Sequence, residues 1–360
     1  MAVVLMDSFD WMQSTYDSSR CGSHGGTASE VQTNTPFSAG RSLRHRGDTR
    51  YKLDKNYWDD TMIIGFHYQI ATDRYRHAVD GRQPIIKLRF EDQATPVMEL
   101  RCTKMATPYF IVNGTAVPGT TAGTSSIRMM PRTWYHFEIK WTIKDSIAAN
   151  ECQLYIDGTL AIDIPAASDT KPNPVNSTRT DFLWIDAGDA EYMDNLYVLD
   201  TTGSHANGIM GPDTRMEMIY PSGTGNYAQW VGSDADSTNN YLHVDELEAD
   251  GDTSYVKSST SGQRDSYTCT NLAGVEGAPV AIQAIQLLSN ARKTAGEARE
   301  LKHFVRISST DYDSSGTHPL SQSTNGYVTN VDIENLNPNT SAQWTTGAID
   351  ALEIGVKLET

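Results

Sequence analysis

Five acidic residues fall within eight positions, Asp245, Glu246, Glu248, Asp250 and Asp252, and carboxylates crowded in this way suit two chemistries. Facing one another across a cleft, a pair cleaves a glycosidic bond, one as acid and the other as nucleophile or base. Gathered on a loop, they coordinate calcium through hard oxygen ligands. The first chemistry wants its acids on one face of one strand. Glu248-Ala249-Asp250-Gly251-Asp252 instead ends in Asp where a Glu is needed, puts Gly at a strand position and stands in a turn-rich loop. The second chemistry is not matched by the spacing of the EF-hand loop. A solvated acidic loop is the simpler reading, with calcium the one cofactor left open. The same holds for Asp186, Asp189 and Glu191.

The other reactive side chains are dispersed. Nine histidines occur without the HxxxH or HExxH spacing that sets imidazoles on one helix face around zinc. There is no GxSxG nucleophile elbow, no phosphate-cradling GxxxxGK[ST] and no GxGxxG following a strand. Cys21, Cys102, Cys152 and Cys269 show no CxxC pattern. Buried thiols are expected, with a bridge between cysteines of the first domain, formed after release into an oxidising medium, left open. No catalytic residue, cofactor site or metal ligand is assigned, and enzymatic activity is not expected.

Trp134, Tyr192, Tyr227, Trp230 and Tyr241 stand on polar sides of strands or in loops. Gathered at one rim they would stack on sugar rings, although packing explains such aromatics equally well. A net charge of −16 argues against nucleic acid, whose phosphates need a basic surface. The imbalance is uneven: 20 basic and 25 acidic residues precede position 209, and 9 and 20 follow. Acidity of this kind keeps a protein soluble at high local concentration. No stretch approaches the ~20 apolar residues of a membrane span. The opening MAVVLM is too short for a signal core and is followed by Asp7 and Asp10, so synthesis and folding in a cytoplasm are expected.

The elements that must position these residues read as strands. Within Arg132 to Pro165, Tyr135, Phe137, Ile139 and Trp141 alternate with Trp134, His136, Glu138 and Lys140, which puts one set on the core side and the other on a polar side. Leu154 and Ile156 then lead into Asp157-Gly158, and Leu160, Ile162 and Ile164 lead away, a strong hairpin signal. Similar short segments are expected over 57–70, 84–90, 97–102, 109–112 (ending on Asn113-Gly114) and 181–199. The first ~35 residues, rich in Ser, Gly and Thr, read as irregular. Thr201 to Gly211, TTGSHANGIMG, is a domain boundary by composition. Beyond it, strands are expected over 280–288, 301–307, 328–333 and 351–358, joined by long polar connections over 222–240 and 308–325. Helix competes over AIQAIQLLSNARKTAGEARELKHF, yet Gly296 and the alternation of Val280, Ile282 and Ala284 favour strand. No internal repeat or heptad array is visible.

The order RTWYHFEIKWTI, QLYIDGTLAIDIP, DFLWIDAG and MDNLYVLD resembles the concanavalin A-like lectin/glucanase superfamily in its laminin-G-like form. The resemblance implies a two-sheet antiparallel sandwich; the paired acids of the glucanase branch are missing. The following blocks, Ile219 to Val231, Asn240 to Val256 and Asn337 to Leu358, resemble the continuation found in virion proteins of tailed bacteriophages. That resemblance implies a tail-tip, fibre, collar or decoration component.

The chain is therefore expected to be all-β, with a concanavalin A-like sandwich over 1–208 and a second antiparallel β domain of jelly-roll type over 209–360. The resemblance implies a non-enzymatic virion structural protein, homo-oligomeric and in contact with other virion proteins. The alternative it leaves is a carbohydrate-binding adhesin, or a capsid decoration protein, contacting host surface glycans.

Overall fold

In the computed structural model the described residues are 3–11, 23–25, 30–37, 40–52, 61–70, 83–89, 98–103, 106–112, 115–116, 127–142, 151–164, 182–272, 281–294, 296–320 and 326–359. Of these, 23–25, 30–31, 45–52, 83–89, 112, 115–116 and 182–190 are described by their backbone alone. The chain separates into two compact units, Met1–Met216 and Glu217–Thr360. Both are antiparallel β, as the sequence pattern requires. No helix among the described residues is long and apolar enough to cross a membrane.

The first unit contains β1 (Val3–Asp7), β2 (Ser23–Gly25), β3 (Glu30–Gln32), β4 (Ser42–Lys52), β5 (Thr61–Ile70), β6 (Gln83–Arg89), β7 (Met98–Cys102), β8 (Pro108–Val112), β9 (Thr115–Ala116), β10 (Trp134–Thr142), β11 (Glu151–Ile156), β12 (Thr159–Ile164) and β13 (Phe182–Leu199). Their hydrogen bonding runs β12-β11-β10-β5-β13-β6-β7-β8-β9. Strand β13 joins the two layers of a sandwich. Its later residues, Glu191 to Leu199, pair with β5, and its first residues, Phe182 to Trp184, pair with β6. The layers meet where Cys152 Sγ of β11 lies 3.5 Å from Met98 Sδ of β7. Phe66, Phe137, Ile139, Trp141, Leu154, Leu100 and Phe110 fill the space between them.

One sequence expectation is corrected in this unit, and one strand was not foreseen. Val3–Asp7 is a strand paired with β13, with a register shift between Val3 and Leu5, and Val3, Leu5 and Asp7 alternate inward. Strand β4, SLRHRGDTRYK, pairs along most of β13, although its charged composition carries no apolar alternation. The turn Asp157-Gly158 is as expected, with positive φ at both residues (49° and 73°), the requirement of a type I′ hairpin. A register shift between Leu154 and Tyr155 leaves Leu160 exposed while Ile162 and Ile164 are buried. The turn residues Asn113-Gly114 lie outside the described residues, as does Cys21. Cys102, Cys152 and Cys269 are buried thiols.

The second unit contains β14 (Pro221–Ala228), β15 (Val231–Gly232), β16 (Val256–Lys257), β17 (Arg264–Cys269), β18 (Ile285–Ala291), β19 (Glu300–Ile307), β20 (Thr310–Asp313), β21 (His318–Pro319), β22 (Val328–Glu334) and β23 (Glu353–Leu358). The main sheet runs β14-β17-β23-β19-β20, with β21 on β19 and the ribbon β18-β22 separate. Leu287 of the ribbon packs with Val305 and Ile307 of β19 and with Trp344, Ile349 and Leu352. A short helix, α1 (Thr346–Asp350), is capped by Thr345 Oγ1, which accepts from Ala348 N at 3.2 Å.

The polar connections expected over 222–240 and 308–325 contain strands β14, β15, β20 and β21. In β14, Gly223 and Gly225 leave room for Thr268 and Ser266 of β17, where any Cβ would collide, so polar, small residues form the edge. Strand β17, missed in the sequence, lies inside the main sheet and carries Asp265, Tyr267 and Cys269 buried.

Candidate functional site

On the face of the first unit away from the sandwich core, β10, β5 and β13 set polar side chains in rows. The register aligns Trp134 with Gln69, His136 with His67 and Glu138 with Gly65. On the other side of β5 it aligns Tyr192 with Gln69, Asp194 with His67 and Tyr197 with Gly65. Between Asp194 and Tyr197 the strand holds one extra residue, and Asn195 there has φ 51°. Such a bulge shifts every later side chain to the opposite face. It brings Tyr197 onto the polar face beside Glu138.

Tyr197 Oη donates to Glu138 Oε1 at 2.7 Å. Because its one proton is engaged there, His136 Nε2, 3.2 Å away, is the donor to the same phenolic oxygen. The Glu138 carboxylate also accepts from Met210 N (2.7 Å) and Gly211 N (3.0 Å). These amides belong to a strap that crosses the face. The strap turns at Gly211-Pro212-Asp213-Thr214, with Thr214 N donating to Gly211 O at 3.2 Å and Gly211 at φ 89°. Pro212 O accepts from His67 Nε2 at 3.3 Å, and Met216 N donates to Asn195 Oδ1 at 2.6 Å. Phe37 lies edge-on to His67, centroids 5.1 Å apart, under the Arg215 guanidinium. The tract 201–211, read from sequence as the boundary, thus lies within the first unit, held by the buried carboxylate.

Burial governs the ionisation of this cluster. It lowers the His67 pKa to about 4 against the small opposing effect of the Pro212 carbonyl. Burial and then the neighbouring His67, whose ring centroid is 4.7 Å away, lower His136 to about 3. Both imidazoles are neutral at pH 7. Burial and then Glu138 push the Tyr197 hydroxyl well above the usual phenol range. A tyrosine, a histidine and a carboxylate in contact form an acid/base set, but His136, Glu138 and Tyr197 are 1 %, 0 % and 2 % exposed. The Glu138 carboxylate holds the strap through Met210 N and Gly211 N.

The row beside the strap is different. Trp134 and Tyr192, both half-buried, have ring centroids 6.4 Å apart at 57°, and their strand positions flank Gln69. Gln69 Oε1 accepts from Asn34 Nδ2 at 2.7 Å. Two of the aromatics singled out in the sequence therefore meet. The other three belong to the second unit and do other work. Trp230 is buried, its indole N–H donating to Gln263 O at 3.1 Å. Tyr227 donates to Asp311 at 2.8 Å, and Tyr241 stands in a 3-10 turn, Asn240–His243.

The acidic loop is tied up by neighbouring side chains. Ser254 Oγ stands 2.6 Å from Glu246 Oε1 and 2.9 Å from Asp250 Oδ2, with one proton to give between them, and Ser254 N donates to Asp250 Oδ1 at 3.2 Å, while Asp252 receives Tyr327 Oη (2.7 Å) and pairs with Arg292. Among the described residues, no three of these carboxylates bring their oxygens together as ligands of one ion. Glu191 is buried, and the side chains of Asp186 and Asp189 lie outside those described. Among the described residues, the group able to surround a metal ion is His303, His318 and Asp332, which no sequence spacing marked. His67 and Glu138 were equally hidden, the first following the apolar run Met62-Ile63-Ile64-Gly65-Phe66 and the second on a side read only as polar.

No protein-family model and no curated protein matches the sequence. Among solved structures, the chain is similar to Trypanosoma rangeli sialidase in complex with the inhibitor DANA, at 11% identity and a TM-score of 0.33, covering 50% of this chain and 30% of that one. It is similar to the alginate lyase Aly36B at 13% identity and 0.37, covering 54% and 95%. Domain 4 of AbnA, an extracellular arabinanase from Geobacillus stearothermophilus bound to arabinotriose, gives 11% and 0.34, covering 55% and 92%. The chain thus spans about a third of the sialidase. Likeness at this level assigns no reaction or substrate.

Proposed function

We propose that the chain is a non-catalytic structural component of a tailed bacteriophage particle, tail-associated and displayed on its surface as a homo-oligomer. The observation that carries the non-catalytic part is the engagement of Glu138. Its carboxylate oxygens are taken by Tyr197 Oη and two strap amides, so the part of the polar face holding His136, Glu138 and Tyr197 is covered by the chain's own backbone. The virion part rests on the sequence resemblance of the blocks over 219–231, 240–256 and 337–358. In the second unit, Trp230 and Asn240 of those blocks close around Asp265, and Trp344 of the last block packs in the core. These are the residues of a built module, with the acidic surface suited to dense display. Immunogold labelling of purified tailed particles checks the proposal: regular labelling at one position is expected, and particles free of the protein overturn it.

Trp134 and Tyr192 favour a second reading, glycan contact by the first unit. Two half-buried rings beside a hydrogen-bonded amide suit stacking on a sugar ring. Binding to an array of bacterial surface glycans, saturable for the natural chain and lost in Trp134→Ala and Tyr192→Ala, is the expected result. Equal binding by both variants removes this reading and leaves the structural role standing.

A further inference from the structure

The inner face of β19 presents Leu301, His303, Val305 and Ile307, placing an imidazole among aliphatic side chains. Leu301 belongs to one apolar cluster, with Trp230 and Leu358, and Val305 and Ile307 to another. His303 lies between them and meets both strands of the facing ribbon. Its Nδ1 is 2.7 Å from Asp332 Oδ2 of β22, and its Nε2 is 2.8 Å from Ser289 Oγ of β18. His318 of β21, which pairs with β19 beside Leu301, brings its Nε2 to 2.8 Å from the same Asp332 oxygen. The ligand atoms of His303, His318 and Asp332 all lie within 4.8 Å of one another.

We propose that His303, His318 and Asp332 bind one divalent transition-metal ion of the zinc class, which ties the ribbon β18-β22 to the main sheet through β19 and β21. Two imidazoles and one carboxylate make a borderline donor set that suits zinc or cobalt better than calcium or magnesium, which take oxygen. Ligands at about 2.0–2.1 Å in a tetrahedral site stand about 3.3 Å apart. The two N···O separations therefore open by roughly half an ångström to admit the ion. Imidazoles that bind the ion through the nitrogens now facing Asp332 would carry their remaining protons on the far nitrogens. For His303 that nitrogen already faces Ser289 Oγ, which can accept as well as donate. Ser289 thereby orients the ligand in either tautomer, as outer-shell partners of metal-bound histidines do. The side chains of His318 and Asp332 are 18% and 12% exposed and that of His303 3%, so the ion enters from the His318 side, where a water completes the coordination.

The test uses the full chain, stripped with chelator and equilibrated against zinc or cobalt alone, with bound metal measured by mass spectrometry. One equivalent per chain, an intense visible cobalt spectrum of tetrahedral type and a raised Tm are expected. The partly exposed His318→Ala, whose fold is checked by circular dichroism, should weaken binding about tenfold or more, and Ser289→Ala by about tenfold. Substoichiometric metal in the natural chain overturns the proposal, as does unchanged affinity in His318→Ala.

Discussion

Tyr197 lies across Gly65, its ring occupying the space where a side chain at position 65 would begin. This juxtaposition of neighbouring strands lets the phenol reach Glu138. Gly65→Ala should destabilise the first unit by roughly 3 kcal/mol or more, through overpacking against an aromatic ring with no room to shift. The double variant Gly65→Ala/Tyr197→Ala should cost little more than Tyr197→Ala alone. Urea unfolding of the three variants checks this, and strict additivity would show that the two residues do not compete for space.

Glu138→Gln keeps the size of the side chain and removes the charge that receives three donors. An amide offers one oxygen to them and turns its own N–H groups towards the rest. A loss of about 2–4 kcal/mol is expected, the cost of leaving buried donors poorly paired. Hydrogen exchange at the amides of Met210 and Gly211 should accelerate more than exchange in β10 itself. Uniform acceleration across the sheet would argue that Glu138 does not hold the strap.

Acid should loosen the first unit in a defined window. His67 and His136 titrate near 6.5 in the unfolded chain but at about 4 and about 3 when folded, so below pH 6.5 the unfolded state binds more protons. Stability is complete above that pH and falls as pH drops towards 4, by about 3 kcal/mol for His67 alone. Denaturant midpoints measured between pH 7.5 and 4 should show this decline, and His67→Gln should flatten it. An unchanged slope in that variant would place the proton uptake elsewhere.

In the second unit, Asn240 Nδ2 donates to Trp230 O at 3.0 Å and to Asp265 Oδ2 at 2.7 Å, the latter also receiving Tyr267 Oη at 2.7 Å. No cation touches this buried carboxylate among the described contacts, and its burial raises the Asp265 pKa, outweighing the hydrogen bonds that lower it. Asn240→Ala should therefore cost about 2–3 kcal/mol and raise that pKa further, both readable from urea unfolding at pH 7 and pH 5. A loss below 0.5 kcal/mol would show that water replaces the amide without cost.

The strands with regular apolar alternation were legible from the chain alone. Tyr135, Phe137, Ile139 and Trp141 face the core, and Asp157-Gly158 turns the hairpin, because a period of two and a turn needing positive φ are local properties. Strands β4 and β17 were not legible. Their residues are mostly charged or polar, with few apolar side chains to alternate, and hydrogen bonding to already formed neighbours, not side-chain pattern, makes them strands. The polar face of β10 was legible as polar but not as buried, since a strand does not record what will lie across it.

Sequence by itself determined the all-β class, the core side of β10 and β11, and the lack of any helix-borne or phosphate-binding motif. Tertiary structure alone decided that Glu138 meets Tyr197, through one extra residue at Asn195, and that His303, His318 and Asp332 converge from three strands. The reason is range. Alternation and turn chemistry act over a few residues, whereas a bulge, a strap and a three-strand cluster depend on register between segments tens of residues apart, which only the folded sheets fix.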